Sequence, residues 1–197
     1  MDAKTYAAVT EVCARLAGRL PDDTLSTLRE HYAAGEWDLA DGTLLLNLAY
    51  EHVAVTREEL DLIRSFLGDP DSPELNSLLV VAEAPLPAYQ FSPGGPAGAA
   101  DPSRADHLLA AEARGFGGQG LRRAWRTPFD GAPDGAAWVY VVPLAGDADE
   151  LKAFSGLSSR LWSTLREKWP IEVVGEGRSL PPYQAAALAA ARPVPAA

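Results

Sequence analysis

The residues in this 197-residue chain whose types invite a chemical role are a glycine-rich hexapeptide, three histidines, one cysteine and a few serines. Gly115 to Gly120, GFGGQG, has the G-x-G-x-x-G spacing that cradles a dinucleotide pyrophosphate. That function needs a strand before the motif and a helix N-terminus after it, so that backbone N–H groups point at the phosphate. Here a helical pattern precedes and a strand pattern follows, so the hexapeptide reads as a flexible helix-to-strand turn. His31, His52 and His107 lie far apart, none with a second histidine at i+3 or i+4, and read as surface residues, with Glu51 beside His52 and Glu112 near His107 as acid partners. Cys13, the sole cysteine, can form neither an internal disulfide nor a thiolate metal cluster, and its place on an apolar helical stripe predicts a buried thiol. Ser155, Ser158 and Ser159 fall inside a helical pattern and not on a strand-to-helix elbow. Asp22-Asp23 and Glu58-Glu59 occupy helix first turns, where they offset the dipole. No catalytic residue, cofactor or metal site is assigned from these patterns.

The elements that would position any site are clearest in the N-terminal third. Tyr6, Val9, Cys13, Leu16 and Leu20 follow a 3, 4, 3, 4 spacing along one helical stripe that Pro21 stops. A second helix, capped among Asp22, Asp23 and Thr24, carries Leu25, Leu28 and Tyr32 and ends at Gly35. The third, central to this part of the chain, puts Trp37, Leu44 and Leu48 on one side and Leu39, Leu46 and Tyr50 roughly opposite. A helix apolar on both sides calls for two partners. After a break near His52 to Val55, Thr56 and Glu59 form the two ends of a capping box that opens a helix with Leu60, Ile63 and Leu67 in register. Gly68, Pro70 and Pro73 then mark a domain boundary, giving an acidic all-helical domain over residues 1–70 with four helices.

Over about residues 15–67 this arrangement resembles the immunity proteins of the MafI type, acidic helical proteins that bind and silence a polymorphic toxin made by the same cell. The resemblance is carried by the Gly35-Glu36 turn, Leu39-Ala40, Leu44, Leu48, Glu51, Val55-Thr56, Glu58-Glu59 and Leu62. It implies a non-enzymatic inhibitor that acts by covering a toxin.

Composition agrees with a globular chain, at 47% apolar and 22% charged residues. No apolar run approaches the roughly 20 residues of a membrane span. The N-terminus has charges within its apolar positions and does not read as a secretory signal, so a cytoplasmic protein is expected. The net charge of −10 is uneven: through Leu75 there are fifteen acidic and six basic residues, net −9, against twelve and eleven, net −1, from Asn76 onward. Such a surface repels nucleic acid and steers basic partners toward it. The expected partner is therefore a basic protein, a toxin on the resemblance, met by Glu36, Asp38, Asp41 and Glu51 around the third helix.

From Asn76 the period shortens. Leu78 to Ala82, LRRAWRTPF from Leu121, AWVYVVPL from Ala137 and IEVVGEG from Ile171 read as strands. Helices are expected from Ser103 to Arg114, after a cap at Asp147 or Asp149, and from Pro182 to Ala191, with 91–106 mostly loop and the tail RPVPAA loose. The fold class is thus α+β, with residues 76–197 forming a ferredoxin-like βαββαβ domain followed by a C-terminal helix. Its first and third strands are expected at the centre and the second, bearing Arg122, Arg123 and Arg126, at an edge. Trp125, Trp138, Trp162 and Trp169 all fall in this half, as core residues or as the walls of an aromatic pocket. A small-molecule-binding or enzymatic role for that half, or a structural adaptor, is the alternative to toxin inhibition.

Overall fold

The computed structural model describes residues 2–146 and 148–195. They divide after Pro87 into two compact units. This is later than the Gly68 to Pro73 breakers, because the segment beyond them folds back onto the helices.

The first unit contains helices α1 (Ala3–Arg15), α2 (Asp22–Ala34), α3 (Trp37–Tyr50) and α4 (Arg57–Arg64), with a two-residue strand β1 (Val55–Thr56) entering α4. Asp2 caps α1 by accepting from the Thr5 N–H at 2.8 Å. This helix ends at Arg15 and not at Pro21; the turn that follows still buries Leu16 and Leu20. Gly35 ends α2 in the left-handed region, φ 77°. The Glu36 N–H reaches the His31 carbonyl at 2.9 Å and the Gly35 N–H the Tyr32 carbonyl at 3.2 Å, a Schellman ending. The capping box at Thr56 and Glu59 is formed in both directions. Pro73 opens a 3-10 turn (Pro73–Ser77) that buries Leu75 and packs on α3. Strand β2 (Val80–Val81) then pairs in parallel with β1. The strand expected at Leu78 to Ala82 is thus this short pairing and not part of the large sheet, and its Leu79 and Val80 are exposed.

The second unit runs β3 (Tyr89–Ser92), α5 (Ser103–Ala113), β4 (Arg122–Pro128), β5 (Ala137–Leu144), α6 (Glu150–Leu165), β6 (Ile171–Gly175), α7 (Pro182–Ala190) and β7 (Arg192–Pro193). Asp149 caps α6, accepting from the Lys152 N–H at 3.0 Å; the alternative cap, Asp147, lies outside the described residues. The sheet order is β3-β4-β5-β6, with β7 also pairing β4. The pairs β3/β4 and β4/β5 are antiparallel, while β5/β6 is parallel. One face carries α5 and α6 over Tyr140, Val142, Leu144, Ile171 and Val173. The other carries α7 over Ala124, Val141 and Val174. Helices on both faces explain why AWVYVVPL is apolar at every position.

The mixed α+β class is as expected, but the strand order is not the ferredoxin-like one. Within the series the second and third strands are central here, and the first and fourth are edges. The order of elements leaves pairing open. The charges of β4, taken as the mark of an edge, are absorbed within the unit. Arg123 is paired with Asp106 and lies 4.7 Å over the Trp138 ring. Arg126 is 1% exposed, 4.6 Å over the Tyr89 ring, and donates to the Tyr183 hydroxyl at 3.0 Å. The start of the tail is held as well: β7 pairs with Arg122 and Arg123, and the Val194 N–H donates to the Leu121 carbonyl at 2.9 Å, while Ala196 and Ala197 lie outside the described residues. Among the described residues no helix is long and apolar enough to cross a membrane.

Candidate protein-binding face

Helix α3 buries Ala40, Leu44, Leu45 and Leu48 against the rest of its unit, packing chiefly on α2 and on the Pro73–Ser77 turn. Its opposite side is bare. Leu39 is 53% exposed, Leu46 68% and Tyr50 76%. Spacings of seven and four residues bring these three side chains within about 40° of one another around the helix, along roughly 17 Å of its length. A methyl group at Gly42 would meet nothing within 4 Å, so the helix surface is open at that position. Thr43, beside it, turns its hydroxyl back to the Leu39 carbonyl at 2.7 Å. Single exposed leucines are ordinary on protein surfaces, whereas an aligned group of large apolar side chains is a candidate interaction face.

The four acids expected to meet a partner do not share one fate. Glu36, Asp38 and Glu51 are exposed, at the start and the end of α3. Glu36 is bonded to His31 Nδ1 at 2.6 Å. Asp38, in the first turn, also complements the helix dipole. Glu51 follows the last helical residue, where a carboxylate opposes the dipole, so its own helix gains nothing from the charge. Asp41 is different. It is half-buried and accepts from the Tyr32 hydroxyl at 2.9 Å and from the Gly68 N–H at 3.0 Å, tying α2, α3 and the chain after α4 together. Both of these bonds are internal to the unit, which spacing alone does not reveal.

The first unit holds sixteen acidic and six basic residues, net −10, and the second eleven of each, net zero. The entire net charge of the chain therefore belongs to the unit that carries the bare stripe. The apolar members, Leu39, Leu46 and Tyr50, are visible in the sequence as the second apolar side of the helix; what periodicity cannot say is which side is covered.

His31 and His52 lie in the first unit and His107 in the second. Cys13 is buried. Among the described residues no three or more His, Cys, Asp or Glu side chains are grouped to hold a metal. GFGGQG follows a helix and leads into β4: the Gly118 N–H bonds the Ala113 carbonyl at 2.9 Å and Gly117 sits at φ 84°, another Schellman ending. The chain has no match to a protein-family model, to a curated protein or to a solved structure.

Proposed function

We propose that the protein is a non-enzymatic, immunity-type inhibitor whose first unit covers a basic toxin through helix α3. The observation that carries this reading is the bare Leu39, Leu46 and Tyr50 stripe, set between exposed acids in a unit of net charge −10. An apolar strip would supply the desolvated centre of the interface, and Glu36, Asp38 and Glu51 its charged rim. Charge selects the occupant. Two copies of so acidic a face repel one another, while a toxin with a basic surface would complement it. Silencing a toxin made by the same cell places the inhibitor in the cytoplasm. The resemblance over residues 15–67 points the same way.

The test is to isolate the partner with the full chain from its host and to measure both toxicity and binding. Expression of the partner alone should arrest growth, and co-expression of this chain should restore it. Leu46→Glu should weaken binding by a hundredfold or more, on the order of a central contact. Asp38→Lys with Glu51→Lys should slow association and flatten its salt dependence, as rim charges do. A harmless or acidic partner, or an affinity indifferent to Leu46→Glu, refutes the reading.

A further inference from the structure

The second unit contains a pocket that the proposed toxin interface does not use. Trp125 on β4 and Trp138 on β5 are register partners, their rings 5.2 Å apart and edge to face. With Trp169 they wall an open pocket of about 400 Å³, bounded by Pro96 in the loop before α5 and by Pro170. That volume is within the range of small-ligand sites.

The loop and the rings hold one another in place. Trp138 Nε1 donates to the Ala100 carbonyl at 2.9 Å. A methyl group at Gly95 would come to 3.0 Å of Trp138 and 3.1 Å of Trp125, so a glycine lets the loop lie directly on both rings. Trp169 gives its N–H to Glu167 at 2.9 Å and sets its ring edge to face against Tyr140, 6.2 Å away. The N–H groups of Trp138 and Trp169 are thereby satisfied within the fold, and what these two walls offer a ligand is aromatic surface.

What the lining lacks decides the class of ligand. Its one ionisable side chain, Lys168, already has an interaction within the protein. Arg123, ion-paired with Asp106, lies 4.7 Å over the Trp138 ring and takes the place a cationic ligand would have on that indole. Glu167, the nearby carboxylate in sequence, is committed to Trp169 and Arg104. A sugar stacked on indole needs flanking carboxylates or amides for its hydroxyls, and among the described residues no Asp, Asn, Glu or Gln lines the pocket. A charged group carried inside would lose water and gain no ionic partner. The attraction that remains is between apolar surfaces, and the ring quadrupoles of the walls favour another ring, offset or edge to face. From these walls we infer that the pocket binds an uncharged, planar aromatic molecule, its ring among the indoles and any polar group left at the open mouth.

Calorimetric titration of the full chain at neutral pH with 2-naphthol, its saturated analogue decahydro-2-naphthol, 2-naphthoate and 2-naphthylmethylamine tests this. 2-Naphthol should bind saturably, about tenfold more tightly than either charged probe and about fivefold more tightly than the saturated analogue, the scale of one aromatic contact. Ala97→Trp in the loop and Ala136→Trp before β5 each place a large side chain at an exposed lining position. Each should abolish 2-naphthol binding while leaving the melting temperature in place, and the second position keeps the test if one variant fails to fold. Absence of saturable 2-naphthol binding, a charged or saturated probe bound as tightly, or binding retained in either folded variant would overturn the assignment. None of these outcomes bears on helix α3, so the two proposals stand or fall separately.

Discussion

Arg19 and Glu59 show how much of the first unit rests on single residues. Arg19 leaves the turn after α1 and places its guanidinium on both Glu59 carboxylate oxygens, at 2.6 and 3.2 Å, while also reaching the Ala54 carbonyl. Glu59 is at the same time the far half of the capping box that starts α4. Burial alone would raise the Glu59 carboxyl, but the hydrogen bonds from Arg19 and the Thr56 N–H, with the Arg19 charge, outweigh it and hold the group below the ordinary 4.5. Removing one partner strands a buried charge, so Arg19→Ala is expected to cost about 3–5 kcal/mol in urea unfolding, and Arg19→Met with Glu59→Gln, which still accepts from the Thr56 N–H, to recover part of it. A group with a lowered folded-state pKa stabilises above its unfolded value and loses that contribution as pH falls through the folded one. Wild type should therefore lose stability relative to Glu59→Gln as the solution is acidified below pH 4.5. A gap between the two that stays constant through the acid range would remove Glu59 from the linkage.

At the scale of elements, the glycines of GFGGQG divide by geometry, which gives a test of the turn against a phosphate cradle. Gly117 is left-handed, and a methyl group there would lie 2.8 Å from the Ala148 Cβ; at Gly118 it would lie 2.7 Å from the Ala113 carbonyl oxygen. Gly115 has open space around it. Alanine at 117 or 118 should cost about 1–3 kcal/mol each, and at 115 less than about 0.5 kcal/mol, by denaturant unfolding. Equal costs at 115 and 117 would contradict the Schellman reading. The same contrast explains what the sequence made legible. Helix stripes, Gly35, the Thr56 to Glu59 box and the strands at 122–128, 137–144 and 171–175 are local signals, and they are where periodicity and capping chemistry place them. Tyr89–Ser92 escaped because four residues beside a Pro-Gly-rich loop look like that loop until β4 pairs with them. The pairing order escaped because Arg126, whose charge looks destined for solvent, is sheltered by Tyr89 and Tyr183 across the fold. Of the candidate binding face, charge and the second apolar side of α3 were legible, whereas the internal bonds of Asp41 belong to contacts 9 and 27 residues away.

For the molecule as a whole, the division after Pro87 separates a unit of net charge −10 from one of zero. A fragment of residues 1–87 is expected to fold alone, with a helical circular dichroism spectrum and a cooperative melt. Because its acids repel one another, added salt should raise its melting temperature, and should do little for residues 88–195. A disordered 1–87 fragment, or a melt that salt lowers, would contradict an autonomous acidic unit. The sheet of the second unit has one further property. Along one side of β4, β3 covers Trp125 to Pro128 and β7 covers Arg122 and Arg123, so a single edge is assembled from segments a hundred residues apart. During synthesis, at about 5–20 residues per second, every element of the first unit has been made several seconds before Arg192 and Pro193 can close that edge. The nascent chain therefore presents helix α3 while the sheet of the second unit is still unfinished.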